Sequence, residues 1–382
     1  MKRKVALLLA MGLVFGFLPV CARGIELDVP AKSAVLMDAA TGTVLYESES
    51  HTALAPASVT KIMTLLLIME SIDEGKIRWE DTVTASETAA AKGGSQIYLK
   101  VGETMSVSDM VKSIAVSSAN DCACAMAEHI GGSETAFVAM MNTRAKELGM
   151  EDTNFVNCTG LDDGQDAKEH KTSAYDIALM SRELIVKHPD IKKFTTIWMD
   201  TVRNGTFGLS NTNKMVRFYS GTTGLKTGFT SAAGYCVSVT AQKEGMELIA
   251  VVMGCESSKQ RFAACKTMLD YGFANFAVVS PDSGETLCVP VVLGKAETVK
   301  ARPARENQLL IDKAQRGSVT TEVELEESVQ APVSRGQRLG TMTVRAKDQV
   351  LAQIPLVAEE TVEKLTWADI FIARLRRFAM SK

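Results

Sequence analysis

Ser58-Val-Thr-Lys61 sets a hydroxyl and an amine three residues apart. On a helix that spacing is nearly one turn, so both side chains share a face. A serine hydroxyl at neutral pH is a poor nucleophile and needs a base beside it. A lysine can be that base once it sheds its proton. Burial and nearby positive charge both favour the neutral amine, lowering its pKa from about 10.4. The residues that follow Lys61 are apolar, which makes burial the expectation. A helix start also offers free N–H groups where negative charge develops. Taken alone, Ser58 reads equally as an N-cap and Lys61 as a solvated lysine.

Two further motifs follow, Ser118-Ala-Asn120 and Lys226-Thr-Gly228. Ser118 can relay a proton between Lys61 and a leaving group. Asn120 offers a substrate amide both a donor and an acceptor. A simple capping pair is the other reading of these two residues. Lys226, Thr227 and Gly228 fall on a strand, and an edge strand binds an extended peptide by main-chain hydrogen bonds. Lys226 and Thr227 would face a terminal carboxylate there, and Gly228 permits close approach of backbones. An oxyanion needs preorganised N–H donors, for which the backbone amides of Ser58 and Phe229 are the candidates. Each motif alone is common; in this order and context they are specific.

The elements that must position these residues are legible from periodicity. Ala34 to Asp38 and Thr43 to Tyr46 read as strands joined by a turn at Asp38–Gly42. From Ser58 to about Ile72 the chain is apolar almost all round, which predicts a helix buried at a domain centre and ending near Gly75. Ser106 to Ile130 reads as two helical pieces broken at Ser117-Ser-Ala-Asn120. Glu134 to Leu148 and Thr172 to Lys187 are further helices. Three strands follow, Gly224–Phe229, Gly234–Ala241 and Glu247–Met253, the last two joined by a Lys243-Glu-Gly245 hairpin turn. Arg261 to Phe276 returns to helix. The fold class is therefore α+β, an antiparallel sheet with a helical cluster.

Beyond Pro281 the texture changes. Leu287–Val292, Glu297–Ala301, Gln308–Ile311, Thr320–Leu325 and Leu339–Val344 alternate like short strands of a small all-β domain. A linker is expected near Val279–Gly284. Leu365, Trp367, Ile370, Phe371, Leu375 and Phe378 then recur at helical spacing beside Arg374, Arg376 and Arg377. That pattern fits an amphipathic helix lying on a membrane surface, or one docked on the β domain. At the other end, Lys2-Arg-Lys4 precedes an apolar run to Val20 and small residues at Cys21 and Ala22, the pattern of a secretory signal peptide. The expected divisions are a signal at 1–22, a first domain at 23–276, a β-rich domain at 277–361 and a membrane-associating helix at 362–382. An exported chain on the outer face of the cytoplasmic membrane or in the cell wall follows.

Composition excludes some partners. The 382 residues carry a net charge of −3, so no basic excess stands ready for nucleic acid. Of eight cysteines, seven would remain after signal cleavage, an odd number without C-x-x-C spacing, and buried free thiols are expected. The four histidines are scattered without H-E-x-x-H, so neither a metal nor a cofactor is expected.

With these motifs in place, the sequence resembles the D-alanyl-D-alanine carboxypeptidases of the low-molecular-mass penicillin-binding proteins. The resemblance rests on Ala57-Ser-Val-Thr-Lys-Ile-Met63, Ser118-Ala-Asn-Asp121 and Thr223-Gly-Leu-Lys-Thr-Gly-Phe-Thr230. Thr172–Asp176, Ser231–Tyr235 and Val251–Gly254 extend it over nearly the whole exported chain. It implies removal of the terminal D-alanine from a peptidoglycan stem pentapeptide through an acyl-enzyme on Ser58, and acylation of the same serine by β-lactam antibiotics. It also implies that Arg261 lies near the substrate carboxylate. Phe229 stands where many relatives have histidine, and Ala119 where glycine is common. A β-lactamase shares the three motifs, but no glutamate motif for deacylation is evident between Asn120 and Lys226. A wall-binding protein without chemistry is the other alternative.

Overall fold

The computed structural model describes residues 27–162, 167–281, 286–304 and 307–372. The expected signal at 1–22 and the C-terminal residues from 373 lie outside them.

Five strands form an antiparallel sheet in the order Val44–Ser48, Ser33–Asp38, Met246–Cys255, Gly234–Lys243, Thr222–Thr230. Early and late parts of the chain meet at its centre, with Val35 opposite Val251 and Leu36 opposite Ala250. The pleat sends alternate residues to opposite faces. Val35, Met37, Ile249, Val251 and Met253 enter one core, while Ala34, Leu36, Leu248, Ala250 and Val252 enter the other. The helix Ala174–Lys187 covers the first face and Ser258–Asn275 the second. Helices therefore cover both faces, which is why these strands are apolar without alternation.

The central helix, Lys61–Asp73, is buried at every position from Lys61 to Met69, as its all-round apolar sequence demands. It is preceded by a 3-10 turn, Ala57–Thr60, so Ser58 sits just ahead of the α-helix rather than in its first turn. The expected break lies between Val107–Ser117 and Asn120–Gly131, with Ser118 in the left-handed region at φ 63°. Serine N-caps start the helices: Ser106, Ser133, Ser173 and Ser257 each accept an amide of the first turn.

The C-terminal sheet runs Val319–Leu325, Arg338–Ala346, Gln349–Ala358, Thr298–Pro303, Cys288–Val292, Val329–Gln330. Three expectations change here. The Gln308–Ile311 stretch is a strand, Leu309–Asp312, but it pairs with Phe276–Val279 rather than joining this sheet. Alternation announces a strand without naming its partner. The pairing absorbs Val279, the first residue of the expected linker, and Lys313 adds a hydrogen bond to the carbonyl of Phe273. Gln349–Ala358 is a strand that was not among those expected, and it carries Pro355 in its midst. The expected helix at 362–382 begins later: Val362 and Lys364 still bridge to Val333 and Gly294, and helix runs from 367 to the last described residue, 372. Thr366 and Asp369 cap it reciprocally. Trp367 and Phe371 are exposed on it. Among the described residues no helix is long and apolar enough to cross a membrane. Six cysteines are buried free thiols as expected, but Cys288 is exposed.

Leu66 is fully buried on the central helix and Val350 is exposed on the β domain. Leu66→Ala should lower stability by about 2–5 kcal/mol in urea unfolding. Val350→Ala should stay within about 0.5 kcal/mol of wild type.

Candidate active site

Ser58 and Lys61 meet as their spacing requires. Lys61 Nζ lies 2.9 Å from Ser58 Oγ and donates to the carbonyl of Thr159 at 2.7 Å. Lys61 is completely buried, and that desolvation drives its pKa down to about 7, against the opposing pull of Cys158 and Asp121. A neutral Nζ can accept the Ser58 proton while still donating to Thr159. The Thr159 carbonyl is fixed by an Asx turn, in which the side-chain oxygen of Asn157 accepts from the amides of Thr159 and Gly160. Gly160 is obligatory: at φ +81°, its Cβ would sit 1.8 Å from the Ala57 carbonyl oxygen.

The Lys226-Thr-Gly228 strand is at the sheet edge, as expected. A Cβ on Gly228 would lie 2.6 Å from the Pro56 oxygen and 3.0 Å from the Val59 nitrogen. The close approach that this glycine permits is thus to the nucleophile's own turn. Lys226 is buried, donates to the Thr227 carbonyl, and has its pKa pushed well down by burial and then by Lys61 and Arg261. The Thr227 hydroxyl donates to Thr212 at 2.7 Å. Arg261 reaches the same strand: Nη1 donates to the carbonyls of Gly228 at 2.9 Å and Cys236 at 3.2 Å. Its Nε is buried without a partner among the described residues. Phe229 is half exposed and its ring lies 4.3 Å from that of Tyr235.

At the second motif, Ser118 is buried at the helix break. Asn120 donates from Nδ2 to the Gly93 carbonyl, and its Oδ1 is buried without a partner among the described residues. That oxygen is a vacant acceptor for an amide N–H. Asp121 binds the amides of Ile97 and Leu99, which holds the 93–99 loop against the motif. Sequence reasoning gave no role to Asp121, Thr159, Gly160 or Thr212. The Asn157-Cys-Thr-Gly160 run carried a turn signal that could have flagged the lysine's carbonyl partner. Nothing in the sequence flags Thr212.

The chain thus holds a hydroxyl on a low-pKa amine, beside an edge strand and a vacant amide acceptor, an arrangement suited to acyl transfer from an extended peptide. Residues 22–257 match the family model described as D-alanyl-D-alanine carboxypeptidase. The chain belongs to the D-alanyl-D-alanine carboxypeptidase family. Residues 282–364 match a second model, Penicillin-binding protein 5, C-terminal domain. The D-alanyl-D-alanine carboxypeptidase DacF of Bacillus subtilis is 43% identical over 345 residues, covering 89% of this chain and 87% of that one. Penicillin binding protein 5 of Haemophilus influenzae superposes with a TM-score of 0.75 at 30% identity, covering 89% of this chain and 99% of that one. Penicillin-binding protein D2 of Listeria monocytogenes, solved in an ampicillin-bound form, has a TM-score of 0.57 at 30% identity, covering 65% of this chain and 100% of that one. For a D-alanyl-D-alanine carboxypeptidase, both a peptide and a β-lactam present a carbonyl to the same kind of nucleophile.

Lys61 can act as base only when uncharged, and its pKa is about 7. Acylation by a fluorescent penicillin should therefore fall about tenfold per unit as pH drops below 7, and level off above it. Lys61→Arg, which cannot lose its proton, should show no such rise and almost no acylation. A flat profile from pH 5 to 8 in the wild type would remove Lys61 from the role of base.

Proposed function

We propose that this chain is a serine-type D-Ala-D-Ala carboxypeptidase. It removes the terminal D-alanine from peptidoglycan stem pentapeptides, and penicillins acylate it at the same serine. The observation that carries the reading is the 2.9 Å contact between Ser58 Oγ and the buried amine of Lys61. Ser58 attacks the penultimate D-alanine carbonyl as its proton passes to Lys61. The oxyanion is held by the backbone amides of Ser58 and Phe229. Ser118 carries the proton from Lys61 to the leaving D-alanine nitrogen. Asn120 Oδ1 accepts from the substrate backbone. Lys226, Thr227 and Arg261 draw in the terminal carboxylate, and Gly228 lets their strand close on the nucleophile's turn. Water then releases the shortened peptide by the reverse sequence.

The chain is exported behind a signal at 1–22 and works where peptidoglycan lies. Its peptidase domain, 23–276, is followed by the β-rich domain at 277–361. The C-terminal segment rests on the membrane surface, a reading supported by exposed Trp367 and Phe371 at its start and by the basic residues beyond.

Wild-type protein should bind fluorescent penicillin covalently and release D-alanine from a stem pentapeptide. Ser58→Ala should do neither, with turnover down by at least about 10³-fold. Labelling that survives Ser58→Ala would overturn the assignment. Rapid release of hydrolysed penicillin would point to a β-lactamase instead.

Removing residues 367–382 should move the protein from the membrane to the soluble fraction, since the β domain's own bridges end at Lys364. Equal fractionation of both forms would defeat the anchor reading.

A further inference from the structure

We propose that His170 is a positioning residue that aims the Ser58 backbone N–H, acting through Thr60 and the carbonyl of Ala57. The inference rests on the acyl-enzyme reading above. His170 is buried, and it lies on a loop far from the three motifs in sequence. Its Nδ1 accepts the backbone N–H of Val156 at 3.0 Å. A neutral imidazole that accepts at Nδ1 carries its proton on Nε2. Nε2 stands 2.7 Å from Thr60 Oγ1 and donates to it. With that lone pair taken, Thr60 Oγ1 sends its own proton to the Ala57 carbonyl at 2.8 Å. Burial and the nearby Lys61 charge lower the His170 pKa to about 4, so the ring is neutral at physiological pH, as this chain of donors requires.

The carbonyl at the end of the chain belongs to the peptide that carries the Ser58 amide. In a trans peptide the C=O and N–H point in opposite directions. Holding the Ala57 oxygen on Thr60 therefore turns the Ser58 N–H to the other side of the plane. This peptide needs holding. Ala57 has φ +49°, a left-handed conformation that is uncommon for alanine and costs energy. Left alone, the plane can rotate to relieve the strain and carry the amide away from a developing oxyanion. Gly160 closes on the Ala57 oxygen from another direction, where a Cβ would lie 1.8 Å away. Thr60 is fully buried, so no solvent water competes for its hydroxyl. The histidine sets which way that hydroxyl points.

The test uses the full chain and resolves penicillin acylation into a limiting rate and a half-saturation concentration. His170→Ala and Thr60→Val should each lower the limiting rate about tenfold or more, because a loosened oxyanion donor acts on the transition state rather than on binding. Half-saturation should be unchanged. The double variant should be no slower than the slower single variant, since both break one chain. Thr60→Ser, which keeps the hydroxyl, should recover most of the rate lost in Thr60→Val. Nitrogen NMR of the wild type should show a neutral ring protonated at Nε2. A folded His170→Ala protein with a wild-type limiting rate overturns the proposal, as do losses that multiply in the double variant. If His170→Ala does not fold, the comparison of Thr60→Val with Thr60→Ser decides: equal limiting rates overturn the proposal. Failure of the wild type to form any covalent adduct would instead sink the underlying reading, so the two failures are distinguishable.

Discussion

The structure depends on keeping the amine of Lys61 out of water. Burial is the largest cause of its lowered pKa, and the proposed role as base requires that lowering. It also costs stability. The folded-state pKa of about 7 lies below the ordinary value of 10.5, so between those pH values the unfolded chain binds more protons than the native one. Stability therefore rises with pH across that window. The cost is fully present at and below pH 7, where it is on the order of 5 kcal/mol. That is a large share of a typical domain's total stability. The surrounding design follows from it. The central helix is apolar on every side, the sheet is covered on both faces, and the lysine's nearest acceptor is an uncharged carbonyl. A carboxylate at the position of the Thr159 oxygen would return the proton to Lys61 and remove the base.

Packing around the nucleophile is the second constraint, and it is set by backbone rather than by side chains. The turn that carries Ser58 is squeezed between the Gly228 strand and the Gly160 loop. At both glycines an added Cβ would overlap main-chain atoms of residues 56 to 59, which cannot move aside as a flexible side chain can. The strained Ala57 is held from both sides by this squeeze. The Gly228 strand is thus registered directly against the Ser58 turn, without a flexible intermediary. Arg261 completes the arrangement by tying the Gly228 carbonyl to that of Cys236 on the neighbouring strand, which stiffens the free edge.

Much of this was legible in the sequence because the relevant signals are local. Helix and strand periods located the Ser58 helix, the break at Ser118 and the three late strands to within a few residues. The motif residues are defined by short spacings, and Ser58 and Lys61 meet where their spacing puts them. What stayed hidden depends on long-range pairing. Leu309–Asp312 reads as a strand, but its partner Phe276–Val279 starts at the end of the preceding helix and straddles the expected 276/277 boundary, and nothing in its own residues selects that partner. The carbonyl of Thr159 serves Lys61 as a main-chain group, so no side-chain identity advertises it. His170 reads as an isolated histidine because its contacts at Thr60 and Val156 are set by the fold.

A cluster of buried basic groups is consistent with the proposed carboxylate-terminated substrate. Lys61, Lys226 and Arg261 are all buried, and Lys226 feels the other two as repulsion. Among the described residues the three donate to main-chain carbonyls rather than pairing with a carboxylate. That repulsion is one an anion would relieve. On the proposed function, a terminal carboxylate beside Lys226 and Arg261 would stabilise their charged forms. On that reading an amidated C-terminus, which brings no charge, would leave the repulsion in place.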